Sequence, residues 1–578
     1  MRAVRATPAP RPVSFRLRLA FAFGLLALAG GGLALRAVQL QLVQHTFLEK
    51  KGLEKFQVTE RIAAHRGMIT DRNGEPLAVS TPVDSVKLTQ RDFDASSENL
   101  HNLARALGAD QRELAQRIST SQDRPVVYLA RGLQPAVAHA VDDLGVPGVS
   151  LEPGYRRYYP AGEVALHVIG YTNVDDDGQS GAELAWDSWM AGEEGSKRVI
   201  QSRKGERVDL ESLKPVVPGQ ELRLSIDQRL QYLAYRALKL AVADNKARAG
   251  SLVMIDVRTG EVLAMVNQPA FNPNDRKQYD DNAARNRAAT DLFEPGSGIK
   301  PFFVAAGLAS GRFNANSVID TGPGFVQINA STTFTDEHNL GAVPLSVILA
   351  KSSNVGMAKL ALALEPRQIW GTLNGLGFGR RSDSGFPGES AGVLSDYSHW
   401  RNRVTVATMS HGYGLSVTAL QLAQAYATLG ALGVRRPVSL LRVDGPVAGE
   451  RVLESMTCAS LLRLLESVVS DEGTGKLAYI PGYRVAGKTG TAEKLVNGAY
   501  DHARNVGSFS GVAPASDPRF AMVVVIDEPN AGKHHGGEVA APVFATVMGG
   551  ALRLMGVPPD DVPAGSDALR LGTQVAAR

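Results

Sequence analysis

Phe293-Glu294-Pro295-Gly296-Ser297-Gly298-Ile299-Lys300-Pro301-Phe302-Phe303 reads as a loop that breaks into a buried helix with a serine at its mouth. Pro295 and Gly296 stop whatever precedes them. Pro301 fits a helix only in the first turn, where a missing N–H leaves no bond unmade, so the helix is predicted to start near Ser297. Ser297 and Lys300 are then three apart on one face, with the amine in reach of the hydroxyl. The Ser297 N–H becomes one of the free donors of a helix N-terminus, available to a developing oxyanion. A serine hydroxyl needs a base, and a lysine serves only when desolvation or a neighbouring cation keeps it neutral. The run Phe302-Phe303-Val304-Ala305-Ala306 supplies the burial. The second cation has to come from elsewhere in the chain.

Two further fragments complete the pattern. Lys351-Ser352-Ser353-Asn354 lies between the apolar segments 343–350 and 355–364, so it reads as a polar turn joining two buried helices, with Ser352 and Asn354 able to face a cavity. Val485-Ala486-Gly487-Lys488-Thr489-Gly490-Thr491-Ala492 is a β-type run whose glycines let another backbone or a ligand come close. Lys488 is the candidate second cation. Each fragment alone is compatible with a structural role: a helix cap with a surface lysine, a turn, a strand. Together, in this order, they form the Ser-x-x-Lys, Ser-x-Asn and Lys-Thr-Gly set of penicillin-binding proteins and serine β-lactamases.

The chain resembles the class B penicillin-binding proteins, most closely the septal, cell-division transpeptidase type, over nearly its whole length up to Gly556. Arg66-Gly67-Met68-Ile69-Thr70-Asp71-Arg72-Asn73-Gly74, His411-Gly412-Tyr413-Gly414-Leu415-Ser416-Val417-Thr418 and Ala531-Gly532-Lys533-His534-His535-Gly536-Gly537 carry the resemblance beyond the three active-site fragments. It implies an α+β penicilloyl-serine transferase domain preceded by a mixed pedestal domain and one transmembrane helix. It further implies a serine-type D,D-transpeptidase acting on stem peptides that end in D-Ala-D-Ala, and trapped by β-lactams. Ser297 would be the nucleophile, Lys300 its base, and Ser352 a proton relay to the leaving amine helped by Lys488. Asn354 would hold Lys300 and the peptide amide in register. Thr489, Gly490, Thr491 and Tyr413 form the implied substrate-binding set, with Thr489, Thr491 and Lys488 meeting the terminal carboxylate. The N–H groups of Ser297 and Thr491 would form the oxyanion hole. The expected partners are peptidoglycan, β-lactams, the membrane, a septal lipid-II-polymerising glycosyltransferase and other division-complex membrane proteins. No cofactor is implied. Gly298 and Ile299 depart from the family, which commonly has Thr and a bulky residue there. Asn354 favours the septal over the elongation type, which usually carries Asp.

Composition limits the alternatives. Among 578 residues, 62 basic and 58 acidic side chains leave a net charge of +4, too balanced to argue for nucleic acid. Cys458 is the only cysteine, so no internal disulfide can form, and its apolar helical setting predicts a packing role. His534 and His535 are adjacent and point different ways without an evident third ligand, which argues against a metal site. Arg2, Arg5, Arg11, Arg16 and Arg18 precede an uncharged run, Leu19 to Leu35, that covers roughly 25 Å as a helix. That nearly spans a bilayer core of about 30 Å, and the basic residues before it place the short tail inside and the remainder outside the cytoplasmic membrane. The run exceeds the usual apolar length of a cleaved signal peptide, about 7–15 residues.

These features divide the chain into a cytoplasmic tail (1–18), a transmembrane helix (19–41), a pedestal of the penicillin-binding protein dimerisation type (42–217), a transpeptidase domain (218–556) and a flexible tail (557–578). Within the pedestal, Asn73-Gly74 predicts a hairpin turn, a helical segment carries Arg105, Arg112 and Arg117, and 156–170 reads as strand and turn. Its charges are read as solvated surface or interdomain salt bridges. Pro215-Val216-Val217-Pro218-Gly219 marks the boundary, after which Leu222 to Asp227 alternates as a strand and Asp227 caps a helix over 228–245. Strands over 251–257, 260–267, 507–513 and 519–526 and a helix over 541–554 complete an α+β plan. A hydrolase, either carboxypeptidase or β-lactamase, and a scaffold for division proteins stay open as alternatives.

Overall fold

The computed structural model describes residues 15–121, 123–201 and 207–561. Arg2, Arg5, Arg11 and the tail from 562 onward lie outside the described residues. The chain divides into two compact units, one of residues 1–64 with 193–217 and the other of 65–192 with 218–578.

The smaller unit contains a helix, Phe15–Val38, a π-helical turn, Gln39–Val43, and a second helix, His45–Phe56. The apolar helix begins four residues before the expected position 19 because arginine is a good helix former, so Arg16 and Arg18 lie inside its first turn. It ends at Val38 rather than 41, where the π turn takes over. Among the described residues, Phe15–Val43 is one segment long and apolar enough to cross a membrane. Strands Gln57–Ile62, Gly195–Gln201 and Arg207–Lys214 form an antiparallel sheet in that order.

In the larger unit, Ile69–Thr70 and Pro76–Thr89 make the expected hairpin around Asn73-Gly74. The Asp71 carboxylate closes the turn by accepting from the N–H groups of Asn73 (2.6 Å) and Glu75 (2.9 Å). The expected single helical segment is two helices, Ser97–Leu107 and Gln111–Thr120, broken where Gly108 turns left-handed and Asp110 caps the second. Strand Val149–Tyr158 runs into 3-10 and α-helical turns ending at Ile169, so 159–170 is not strand. Arg105, Arg112 and Arg117 are exposed as expected, whereas the charges around Glu183 are not solvated. Glu183 is fully buried and binds Arg66 (2.8 Å) and Arg157 (2.6 Å), and Arg66 also reaches Asp187 (2.7 Å). Burial is possible because each charge has a hydrogen-bonded opposite.

Helix α1 (Gln228–Asp244) starts at Asp227, whose carboxylate accepts from the Arg229 N–H at 3.0 Å, and the strand before it is only Leu222–Arg223. Strands β1 (Ala249–Asp256) and β2 (Val262–Gln268) follow, then helices α2 (Lys300–Ala309), α3 (Asn354–Leu362) and α4 (Ala419–Gly430). Strands β3 (Ala486–Val496), β4 (Ala499–Ala513) and β5 (Phe520–Asp527) and helix α5 (Ala541–Leu554) close the unit. The sheet order is β2-β1-β5-β4-β3, antiparallel throughout. Strand β1 is buried at every position because alternate side chains enter two cores. Val253 and Ile255 join the core of Phe302 and Tyr426, whereas Leu252 and Met254 join Leu238 and Phe544. Cys458 is buried, and that burial pushes its thiol up to about 12. The start of the expected loose tail is tied down. Tyr483 donates to the Val557 carbonyl (2.7 Å), and Asp560 accepts from the Arg484 N–H (2.8 Å) and the Ser516 hydroxyl (2.7 Å).

Candidate active site

The nucleophile turn departs from the expected helix start in one respect. Gly296–Ile299 is a 3-10 turn, and the α-helix itself begins at Lys300 with Pro301 in its first turn. Gly296 is left-handed at φ 51°, and a Cβ there would lie 2.3 Å from the Thr491 carbonyl oxygen. Gly490, opposite it on β3, would place a Cβ 2.7 Å from the Pro295 carbonyl oxygen. Two glycines therefore let the serine-bearing turn lie directly against the strand of the third fragment.

Lys300 is fully buried. Its amine donates to the Ser352 carbonyl (2.6 Å), the Asn354 Oδ1 (2.8 Å) and the Ser352 hydroxyl (3.2 Å). The Ser352 hydroxyl in turn donates to the Ser297 Oγ at 2.9 Å. Ser297 and Lys300 are thus linked through Ser352, where the sequence suggested direct contact. Ser352 takes a left-handed φ of 56°, an uncommon conformation for a residue with a side chain, and it sits at the centre of this chain.

Burial pushes the Lys300 amine down to about 7, with Asp336 opposing the shift. Burial also pushes Lys488 well below its ordinary value, and repulsion from Lys300 adds to it. Desolvation is therefore the main cause at Lys300, and the like-charge effect falls mainly on Lys488. Two dry amines this strongly coupled do not both keep a proton at neutral pH.

Lys488 donates to the Thr489 carbonyl and hydroxyl, each at 3.2 Å, and the Thr489 hydroxyl also pairs with Thr474 at 2.9 Å. The Thr491 Oγ1 accepts from the Gly536 N–H at 3.1 Å, so the Gly536-Gly537 segment lies beside β3. Tyr413 is half-buried. Its hydroxyl accepts from the Glu493 N–H (3.3 Å) and its ring meets Tyr500 edge-on at 5.0 Å, so it braces the end of β3.

Three supporting residues were given no role in the sequence reading. Asp336 accepts from the Ser353 hydroxyl (2.5 Å) and from the N–H groups of Asn354 (2.5 Å) and Val355 (3.0 Å). It caps α3 from a segment following strand Thr332–Thr335, which no local signal links to the helix. Glu294 accepts from the Gly414 N–H (2.7 Å) and the Tyr500 hydroxyl (3.3 Å), and burial raises its carboxyl above the usual range. His411 stacks on Phe334 at 4.4 Å, and its Nε2–H donates to the Asn354 carbonyl at 2.9 Å. Burial, then the nearby Lys300, lower it to about 4, so the ring is neutral. His534 and His535 lie 4.4 Å apart, and no group of three or more potential metal ligands occurs among the described residues. A cavity of about 260 Å³ bounded by Phe293, Glu294, Ala492 and Glu493 lies next to this region without Ser297 in its wall.

A hydroxyl joined through a second hydroxyl to a buried, deprotonatable amine can attack a carbonyl carbon. The family model for the penicillin binding protein transpeptidase domain matches residues 250–549, and that for the penicillin-binding protein dimerisation domain matches 61–224. The chain belongs to the penicillin-binding protein transpeptidase family. The chain is 42% identical to the peptidoglycan D,D-transpeptidase FtsI of Escherichia coli over 554 residues, covering 95% of this chain and 93% of that protein. It is 38% identical to the probable peptidoglycan D,D-transpeptidase PenA of Neisseria meningitidis, over 95% of this chain and 94% of that one. Among solved structures, the transpeptidase domain of Burkholderia pseudomallei penicillin-binding protein 3 aligns with a TM-score of 0.54 at 42% identity, covering 59% of this chain and 98% of that one. A peptidoglycan synthetase from Bifidobacterium adolescentis aligns with a TM-score of 0.69 at 25% identity, covering 88% and 98%. The family resemblance and the α+β architecture expected from the sequence are thereby shown.

Proposed function

We propose that the protein is a peptidoglycan D,D-transpeptidase that crosslinks stem peptides at the division septum through a serine acyl-enzyme. The observation that carries this reading is the hydrogen-bonded series Ser297–Ser352–Lys300 beside a second buried lysine. Ser297 Oγ attacks the carbonyl carbon of the penultimate D-Ala. Its proton passes by way of Ser352 to neutral Lys300. The tetrahedral oxyanion is held by the N–H groups of Ser297 and Thr491, where losing one donor typically costs about 3–4 kcal/mol. Collapse breaks the peptide bond, and the departing amine of the terminal D-Ala takes the proton back through Ser352. An acceptor amine from a neighbouring stem peptide then attacks the ester, loses a proton by the same route and releases Ser297. Thr489 and Thr491, with the positive potential of Lys488, receive the donor's terminal carboxylate across Gly490. Asn354 fixes the Lys300 amine, and Tyr413 holds the end of β3. β-Lactams enter as mimics of D-Ala-D-Ala and leave Ser297 acylated.

In this reading the tail 1–18 is cytoplasmic, the apolar helix expected over 19–41 anchors the chain in the inner membrane, and both folded regions are periplasmic. Residues 42–217 form the pedestal, 218–556 the transpeptidase domain and 557–578 a tail. The pedestal would dock other division-complex membrane proteins, a lipid-II-polymerising glycosyltransferase among them. Intact-mass measurement after exposure to a penicillin, followed by peptide mapping, tests the chemistry. One adduct on the peptide containing Ser297 is expected, and none in Ser297→Ala. An adduct that persists in Ser297→Ala would remove Ser297 as the nucleophile. A thioester donor with a D-amino acid acceptor then separates transfer from hydrolysis.

A further inference from the structure

The loop after helix Pro366–Gly375 carries Arg380 and Arg381, and the segment after α4 carries Arg435 and Arg436. All four line one open pocket of about 490 Å³ together with Ser382, Asp383, Gln424 and Glu450. The pocket is fixed to the core by two glutamines three apart on α4. Gln421 donates to the Arg380 carbonyl (2.6 Å) and Gln424 to the Arg436 carbonyl (3.0 Å), so each pins one arginine-bearing segment. The floor is held as well, because buried Glu389 accepts from the N–H groups of Ser382 and Ser384.

The charges in this pocket are poorly balanced. Among the described residues only Arg435 of the four has a carboxylate partner, Glu450 at 2.6 Å, and that carboxylate is mostly exposed. Arg436 spends its donors on the backbone carbonyls of Val447 (3.3 Å) and Val257 (3.2 Å), and Arg380 donates to the Asn374 side-chain oxygen, none of which is charged. Arg381 is exposed, with no ion pair among the described residues. Ser382 is 4% exposed, and its hydroxyl has no hydrogen-bond partner among the described residues. Four guanidinium groups share this concavity with two carboxylates, Asp383 and Glu450, which leaves positive charge in excess, and a planar fork of N–H donors suits phosphate oxygens. None of these residues belongs to the Ser297 site.

We propose that this pocket is a second binding site, for a phosphate or diphosphate group, either on a soluble ligand or on a lipid headgroup. The guanidinium groups of Arg380, Arg381 and Arg435 grip the oxygens. The test is calorimetric titration of inorganic pyrophosphate into the full chain in a neutral detergent at low ionic strength. Co-flotation with vesicles of phosphatidylcholine, with and without phosphatidylglycerol, runs in parallel. Saturable binding by pyrophosphate, or flotation with the phosphatidylglycerol vesicles beyond what the apolar helix Phe15–Val43 gives with phosphatidylcholine alone, supports the site, and the probe that binds identifies its source. Arg380→Ala/Arg381→Ala should weaken that binding by about tenfold or more, as losing charge-assisted contacts does. Arg381→Ala alone, at an exposed position, guards against a folding defect, and Arg236→Ala on the outer face of α1 should bind as the parent does. Acylation by penicillin should be unchanged in all of them. Absence of binding to either probe, or affinity that ignores the Arg380 and Arg381 substitutions, overturns the proposal.

Discussion

The pH dependence of acylation tests the arrangement around Lys300 most directly. The amine is buried, and burial pushes it down to about 7 from an ordinary 10.5. If its neutral form is the base, the neutral fraction is about 10% near pH 6, half near pH 7 and about 90% near pH 8. The second-order rate constant for acylation by a fluorescent penicillin should therefore rise about tenfold between about pH 6 and about pH 8, then level off. The same shift acts on stability. Above pH 10.5 the amine is neutral whether the chain is folded or not. As the pH falls, the unfolded chain takes up a proton that the folded site refuses, so stability declines down to about pH 7 and is flat below it. The three and a half pH units involved correspond to about 5 kcal/mol. Stopped-flow fluorescence from about pH 5.5 to about pH 9, with circular dichroism to confirm folding at each point, reads the rate limb. A flat profile, or a midpoint near the ordinary lysine value, would refute a neutral Lys300 as the base.

Other substitutions probe the supports of the site. Asp336→Asn removes the carboxylate that raises Lys300, so the midpoint of the same rate profile should move to lower pH. The weakened cap on α3 should also lower denaturant stability by about 0.5–2 kcal/mol. The two glycines of the nucleophile turn should part company. A Cβ at Gly298 meets nothing within 4 Å, so Gly298→Ala should raise stability by about 0.4–1 kcal/mol and keep acylation. Gly296→Ala puts a Cβ 2.3 Å from the Thr491 oxygen at a left-handed φ, and acylation by penicillin should be lost with the alignment of turn and strand. In the pedestal, Glu183→Gln leaves Arg66 and Arg157 buried beside a neutral partner, and urea unfolding should show a loss of about 3–5 kcal/mol. A loss below about 1 kcal/mol would mean that water reaches these guanidinium groups.

The legible parts of the site were those whose chemistry is written in adjacent residues. Ser297 with Lys300, Ser352 with Asn354, and Lys488 with Thr489 each lie within four positions of one another, so spacing picked out the groups, although it suggested a direct Ser297–Lys300 contact where Ser352 stands between them. Helix α5 was readable from its apolar face at helical period, and strand β5 from a short continuous apolar run. Local patterns failed where a neighbour distant in sequence sets the outcome. The buried Arg66–Glu183 pair was read only as solvated surface or an interdomain salt bridge because the two are separated by 117 positions, and nothing near either announces the other. Asp336 was missed because the helix it caps starts 18 positions later.

By itself the sequence determined which groups could do the chemistry, the period of the main elements, the family resemblance and the apolar helix near the N-terminus. Only the tertiary structure decided that Ser352, in a left-handed conformation, stands between Ser297 and Lys300, and that burial more than a neighbouring charge holds Lys300 near neutrality. It also gathered four arginines into one pocket. Spacing along a chain constrains neighbours, but solvent exclusion and charge proximity depend on every segment packed around a group, and no local stretch encodes that sum.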